Sequence, residues 1–350
     1  MGNPLNIFGP AVIAFVIGIA ITPILTHYLY RHSVWKKRGG KTAIGGSVAE
    51  VFNSLKGEHE TKTPRMGGIV IWGSVLITAL LLSLLHTVYG SVFEQFDFLS
   101  RSQTYIPLSA LLIGACIGFL NDFYDISHHG QGLSLKIRLF LITSLSGLLG
   151  VWFYSKLGVT TVSVPFDGYL YLGVFIVPFF ILLALALYAS GVIDGIDGLS
   201  GGVFASVFAG YAGISLVQSQ FHLAAFCATV TGAILAFLWF NIPPARFWMT
   251  ETGSMALTLC LATVVFMTDA LVEGHGIALL PIVGLPLVLT VLSNIVQIGF
   301  KKATGRKLFR IAPLHHHFEA IGWPSYKVTM RYWIISIVCA LLGVALATIA

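Results

Sequence analysis

Residues 169–200 read YLYLGVFIVPFFILLALALYASGVIDGIDGLS. Positions 169–189 carry no charged side chain. As a helix rising about 1.5 Å per residue, such a run crosses the roughly 30 Å hydrocarbon core of a bilayer. Pro178 lies inside it and is expected to kink it. The run ends on Asp194-Gly-Ile-Asp197-Gly, an acidic turn whose glycines permit positive φ and close backbone approach. A lipid-soluble helix that stops on two carboxylates places its polar chemistry at a membrane boundary.

Read outward from there, the chain holds ten such spans, near 8–30, 66–87, 103–121, 133–156, 169–189, 198–217, 222–240, 253–271, 275–300 and 329–349. The ninth contains Pro281 and Pro286 and is expected to be bent or broken. Composition agrees. Of 350 residues 56% are hydrophobic and 10% charged, against about 25% charged in an average soluble domain. Mean hydropathy is +0.87. A soluble enzyme, a disordered chain and a disulfide scaffold are excluded. The expected fold is an all-α integral membrane protein, one polytopic domain over 1–350, with loops at about 31–65, 121–136, 188–199, 241–253 and 301–328. No internal repeat is visible, which weighs against a transporter built from inverted halves. No Lys or Arg precedes the first span and no small-residue cleavage site follows it, so that span is expected to remain. Cys116, Cys227, Cys260 and Cys339 lie apart within apolar runs and read as packing residues.

The net charge of +6 resembles a nucleic-acid signal until its placement is examined. Alternate loops hold 18 of the 20 basic residues, leaving only Arg101 and Lys156 on the other side. The rich side is therefore expected to be cytoplasmic, with both termini outside and no nucleic-acid partner. Five acids, Asp122, Asp125, Asp194, Asp197 and Glu251, fall at span ends on that same side. A mid-bilayer charge costs about 2.5–3.5 kcal/mol on insertion scales. Each acid singly reads as a span-end marker; five in three loops suggest a site for a hard cation and its phosphates. The tract Pro313-Leu-His315-His316-His317-Phe-Glu319 cannot turn three imidazoles toward one metal from a helix. Beside Arg310 it suits a phosphate or sugar better than zinc.

These tracts resemble the polyprenyl-phosphate N-acetylhexosamine-1-phosphate transferase superfamily, in its phospho-N-acetylmuramoyl-pentapeptide-transferase branch, over nearly the whole chain. Thr63-Pro-Arg65-Met-Gly67-Gly68 looks like the family's TPTMGG, Asn121-Asp122 its aspartate pair, and Asp194-Gly-Ile-Asp197-Gly-Leu its DGLDGL. Asn241-Ile-Pro-Pro-Ala245 with Thr252-Gly-Ser254 resembles N-x-x-P-A…M-G-D-x-G-S. The most specific tract is Phe309–Glu319 with Gly322-Trp323, which belongs to the muramoyl-pentapeptide branch.

The resemblance implies transfer of phospho-MurNAc-pentapeptide from UDP-MurNAc-pentapeptide to undecaprenyl phosphate in a bacterial inner membrane, giving UMP and lipid I for peptidoglycan. The site would face the cytoplasm, and the enzyme would be a possible homodimer. It implies Mg²⁺ on Glu251, with Asp194 as a further candidate ligand. Asp122, with Asn121 beside it, would handle the lipid phosphate, which Lys136 would also meet. Asp194 and Asp197 would line the nucleotide site, Lys62, with Lys56 as a rival, would bind the diphosphate, and Asn241 and Gln297 sit at matching polar, substrate-binding positions. Trp248 would stack on uracil, His315 and His316 would contact the sugar-phosphate or peptide, and His317 would support the loop. Departures are Asn121 for an acid, Glu251 for the metal-loop aspartate, Thr250 for glycine, and Tyr188-Ala-Ser-Gly191 for N-x-x-N. The rival readings are a UDP-HexNAc transferase for another polymer, an inactive membrane scaffold, and an ion-coupled transporter. The last would want mid-span acids, whereas Asp269 and Glu273 lie at an outer end.

Overall fold

A computed structural model describes residues 4–35, 62–100, 102–128, 132–164, 168–270 and 274–349. Lys36, Lys37, Arg38, Lys41, Lys56, Arg101 and Glu273 lie outside the described residues. The helices are α1 (Pro4–Arg31), α2 (Ile69–Tyr89), α3 (Tyr105–Ser127), α4 (Leu135–Lys156), α5 (Ile176–Ser190), α6 (Leu199–Val217) and α7 (Phe221–Asn241). They continue as α8 (Thr250–Ala270), α9 (Gly276–Val283), α10 (Leu285–Thr304), the short α11 (Leu314–Ala320) and α12 (Ser325–Ala347). Among the described residues nine helical segments are long and apolar enough to cross a membrane, and a tenth results if α9 and α10 form one span bent by 72°. The break falls at Gly284, with Pro286 opening α10. Pro286 needs no amide partner at that position, so it ends one helix and starts the next.

Three expectations need correction. The fold is not wholly helical: β1 (Thr161–Val164) and β2 (Gly168–Tyr171) form an antiparallel hairpin with Val162 opposite Leu170. The fifth span therefore begins at Gly173 and not at 169, since Tyr169–Tyr171 satisfy their backbone groups across the hairpin. Pro178 consequently sits in the first turn of α5, where a missing N–H costs nothing. Finally, the third span runs on to Ser127, so Asn121, Asp122 and Asp125 stand on its last two turns and not in a loop.

Helix α8 is the axis of the bundle. In its most apolar stretch 94% of the residues are buried, against 28% in that of α1, although α1 is the more apolar helix. In lipid the exterior can be fully apolar, so polar and small residues are driven inward. The α8 hydroxyls are satisfied locally: Thr258, Thr263 and Thr268 donate to Ser254, Cys260 and Val265 carbonyls at 2.7–2.8 Å. Phe266 packs against Phe153 of α4 and Phe180 of α5, tying the outer helices to the axis. At one end Asp269 Oδ1 accepts from Ile277 N at 3.0 Å, clasping the turn into α9.

Candidate active site

The opposite end of α8 begins at Thr250, and its position is set by α3. Gly114 and Gly118 lie one turn apart on α3 and face α8 backbone. A Cβ at Gly114 would stand 2.7 Å from Met255 O, and one at Gly118 would stand 2.0 Å from Glu251 O. This small-xxx-small face lets the two helices touch. One turn beyond Gly118, Asp122 then reaches the α8 N-terminus. Its Oδ2 accepts from Thr252 N (2.8 Å), Thr252 Oγ1 (2.6 Å) and Thr250 Oγ1 (2.6 Å). A carboxylate at a helix N-terminus satisfies otherwise orphaned amides and suits the macrodipole.

Thr250, replacing the resembled family's glycine, adopts φ +55°, a conformation that a β-branched residue rarely takes. It is held there from three sides. Its N–H donates to Asp194 Oδ2 at 2.8 Å, its hydroxyl donates to Asp122, and that hydroxyl oxygen accepts from Met66 N at 3.1 Å. The glycine-rich segment thereby joins the site. Gly67 N donates to Trp248 O (2.8 Å), and Gly68 N to Met249 O (3.2 Å). A Cβ at Gly68 would fall 2.2 Å from Gly253 N, so only glycine allows this approach.

The acidic turn closes over the same end. Asp194 Oδ1 accepts from Ser200 Oγ at 2.7 Å. Asp197 accepts from Ala245 N (3.1 Å) and Trp248 Nε1 (3.0 Å). Gly198 takes φ +75°, with its N–H donating to Asn241 Oδ1 at 3.0 Å and its carbonyl accepting from Trp333 Nε1 at 2.9 Å. A Cβ at Gly195 would lie 2.6 Å from His316 Nε2 and 3.0 Å from His315 Nε2. The histidine tract, distant in sequence, is thus seated directly on the acidic turn. His316 Nδ1 pairs with Glu319 Oε2 at 2.7 Å, while His317 faces away and accepts from Arg310 N at 3.2 Å. Gln297 bonds both the amide and the carbonyl of Phe309 at 2.9 Å, holding the tract's lead-in segment.

Several expected substrate groups are therefore occupied. Asn121, nearly buried, accepts from Leu133 N at 3.0 Å and ties α3 to the start of α4. Asn241 bridges Gly198 N and Phe247 O, closing its own loop. Asp122 is wholly buried and its oxygens accept four donors, from Arg65, Thr250 and Thr252. Lys62 and Lys136 are exposed at the edge, Trp248 is half-buried, and Asp194 and Asp197 remain partly open.

Two residues not singled out as site candidates stand at the centre. Arg65 Nη2 bridges Asp122 Oδ1 (3.3 Å) and Asp125 Oδ2 (3.1 Å). Arg138 Nη1 pairs with Glu251 Oε1 at 2.8 Å, and Ser254 Oγ donates to Oε2 at 3.3 Å. Their signal was weak: Arg138 is a fixed charge at the first turn of an apolar span, where a half-buried charge usually has a partner. The family-implied Mg²⁺ can be tested against this donor set. Among the described residues no three His, Cys, Asp or Glu side chains converge. The oxygens of Asp194 accept protein N–H and O–H donors, and Glu251 already bonds a guanidinium. The residues do not fit a magnesium site, which needs close octahedral oxygens.

Glycine-spaced helices, a carboxylate-capped axis and a histidine tract on an acidic turn meet at this end of the bundle. The sequence pattern of glycosyl transferase family 4 matches residues 104–269. The phospho-N-acetylmuramoyl-pentapeptide-transferase of Geobacillus sp. (strain WCH70) is 33% identical over 344 residues, covering 95% of both chains. Those of Bacillus cytotoxicus and Bacillus thuringiensis (strain Al Hakam) are 31% identical over 338 and 339 residues, at the same coverage. The chain belongs to the phospho-N-acetylmuramoyl-pentapeptide-transferase family.

Proposed function

We propose that this multi-pass membrane protein transfers phospho-MurNAc-pentapeptide from UDP-MurNAc-pentapeptide to undecaprenyl phosphate, releasing UMP and forming lipid I. The observation that carries this reading is the convergence at one end of α8. The TPRMGG turn, the acidic turn and the 241–254 loop are far apart in sequence and are linked by the bonds described above, and the histidine tract packs against Gly195 of the acidic turn. Likeness to the curated transferases over 95% of the chain supports the choice of substrate.

In this reading a lipid phosphate oxygen attacks the β-phosphorus of the nucleotide sugar. A P–O bond forms to the lipid, the bond from β-phosphorus to the bridging oxygen breaks, and UMP leaves with that oxygen. Attack is direct, because Asp122 is enclosed by its donors and Asn121 is no nucleophile. The chain's own contribution is positioning and charge stabilisation, which dominate phosphoryl transfer. Trp248, fixed through Asp197, offers an aromatic face to uracil. In this reading the buried pair His315 and His316, packed against the acidic turn, is assigned to the sugar-phosphate, Lys62 and Arg138 to the diphosphate, and Lys136 to the incoming lipid phosphate. The heavily basic side faces the cytoplasm, where the soluble nucleotide arrives, and both termini lie outside. No step is assigned to a metal ion.

The test is UMP release by purified protein given polyprenyl phosphate and UDP-MurNAc-pentapeptide, with UDP-N-acetylglucosamine in parallel. Release from the muramoyl nucleotide alone is expected. Release only from the other nucleotide would move the chain to a different polymer, and release from neither would leave a scaffold.

A further inference from the structure

We infer that Arg65 and Arg138 supply the positive charge of this site in place of a divalent cation, so that it takes a diphosphate without added metal. The inference rests on the proposed nucleotide-sugar reading. Three carboxylates stand at the α3 and α8 ends: Asp122, Asp125 and Glu251. Each has a guanidinium nitrogen within 3.3 Å. Arg65 replaces a neutral threonine of the resembled motif, and Asn121 replaces an acid. These two changes shift the local charge in the same direction, adding a fixed cation and removing an anion. Glu251, the longer carboxylate, is just the group that reaches Arg138.

The two arginines differ in access. Arg65 is 13% exposed and bridges two buried acids, so it is committed to neutralising the α3 end. Arg138 is 23% exposed and bonds Glu251 through Nη1, and its buried Nε makes no hydrogen bond. A guanidinium has five donors in a fixed fork, and phosphate oxygens match it in pairs. Arg138 thus holds Glu251 with one arm and receives a diphosphate with the remaining donors. A magnesium ion at Glu251 would have to displace Arg138 and sit against its charge.

The probes are UDP and inorganic pyrophosphate, titrated calorimetrically into full-length protein in nanodiscs, in EDTA and then in excess Mg²⁺. Wild type is expected to bind both ligands in EDTA, with affinity changing less than about threefold on adding Mg²⁺, below the roughly tenfold that one lost charge-assisted contact produces. Arg138→Gln should weaken binding about tenfold in both conditions, and Arg138→Lys should restore part of it. Arg65→Thr should make binding Mg²⁺-dependent and create a Mn²⁺ site detectable by paramagnetic resonance. Thermal melting of each variant separates misfolding from lost affinity. Binding by wild type only with Mg²⁺, or one tight Mn²⁺ per wild-type chain that Glu251→Gln abolishes, would overturn the inference and leave the transferase reading standing. Metal-free binding without UMP release from UDP-MurNAc-pentapeptide would do the reverse. No binding under either condition would overturn both.

Discussion

Gly118→Ala adds one methyl group at the point where α3 touches α8. The new Cβ would stand 2.0 Å from Glu251 O and 2.5 Å from Glu251 C, both backbone atoms inside a helix. Ordinary methyl contacts begin at 3.4 Å, so the helices must separate by about 1.4 Å along that line. Neither partner can turn a rotamer to make room. Overpacking of this kind costs about 1–3 kcal/mol. The functional cost is larger, because the same contact sets the reach of Asp122 to Thr252 N and of Glu251 to Arg138, both 2.8 Å long. Lengthening either by 1 Å breaks it, and misplacement on that scale costs about 100-fold in rate. The assay is UMP release at saturating nucleotide sugar, alongside thermal melting in the same detergent. A rate near 1% of wild type with a folded, modestly destabilised protein is expected. Full activity with unchanged melting would refute the claim that this glycine positions the site.

Four further outcomes follow from the same geometry. Asp122→Ala strips Thr250, Thr252 and Arg65 of a shared acceptor and leaves a buried guanidinium underpaired; a loss of about 3–5 kcal/mol is expected in denaturant or thermal unfolding. Thr250→Gly relieves the positive φ while Thr250→Ala keeps it, so the alanine variant should be less stable than the glycine variant by about 1–2 kcal/mol in parallel melts. Gly195→Val drives a branched side chain into the buried His315 and His316; UMP release should fall about 100-fold, with a loss of about 1–3 kcal/mol in thermal unfolding from overpacking. Trp248→Phe keeps the aromatic face and loses the bond to Asp197, so KM for the nucleotide sugar should rise about three- to tenfold with kcat nearly unchanged.

The sequence by itself determined that the chain is a bundle of long apolar helices, that the stretch around Pro281 and Pro286 is bent, and that the acids gather at helix ends. These depend on hydropathy and on charge counts, which are properties of short stretches and survive any packing arrangement. It also brought forward the acidic turn, because glycine follows each of its two aspartates, and the histidine tract, because three consecutive imidazoles beside Arg310 are a local pattern. The 161–171 hairpin was not legible, since β2 (GYLY) is as apolar as the helix it precedes and only pairing with β1 distinguishes them. Nor was the enclosure of Asp122 and Asn241. The approach of α3 to α8, and of Gly198 to the 241–249 loop, supplies the donors around their oxygens, and no local pattern announces either approach. Arg65 and Arg138 were visible as charges, but a charge names its partner only when helices 57 and 113 residues apart in sequence are set side by side. Hydropathy decided where each segment lies; the close packing of glycine faces decided which carboxylates are open and which already hold an arginine.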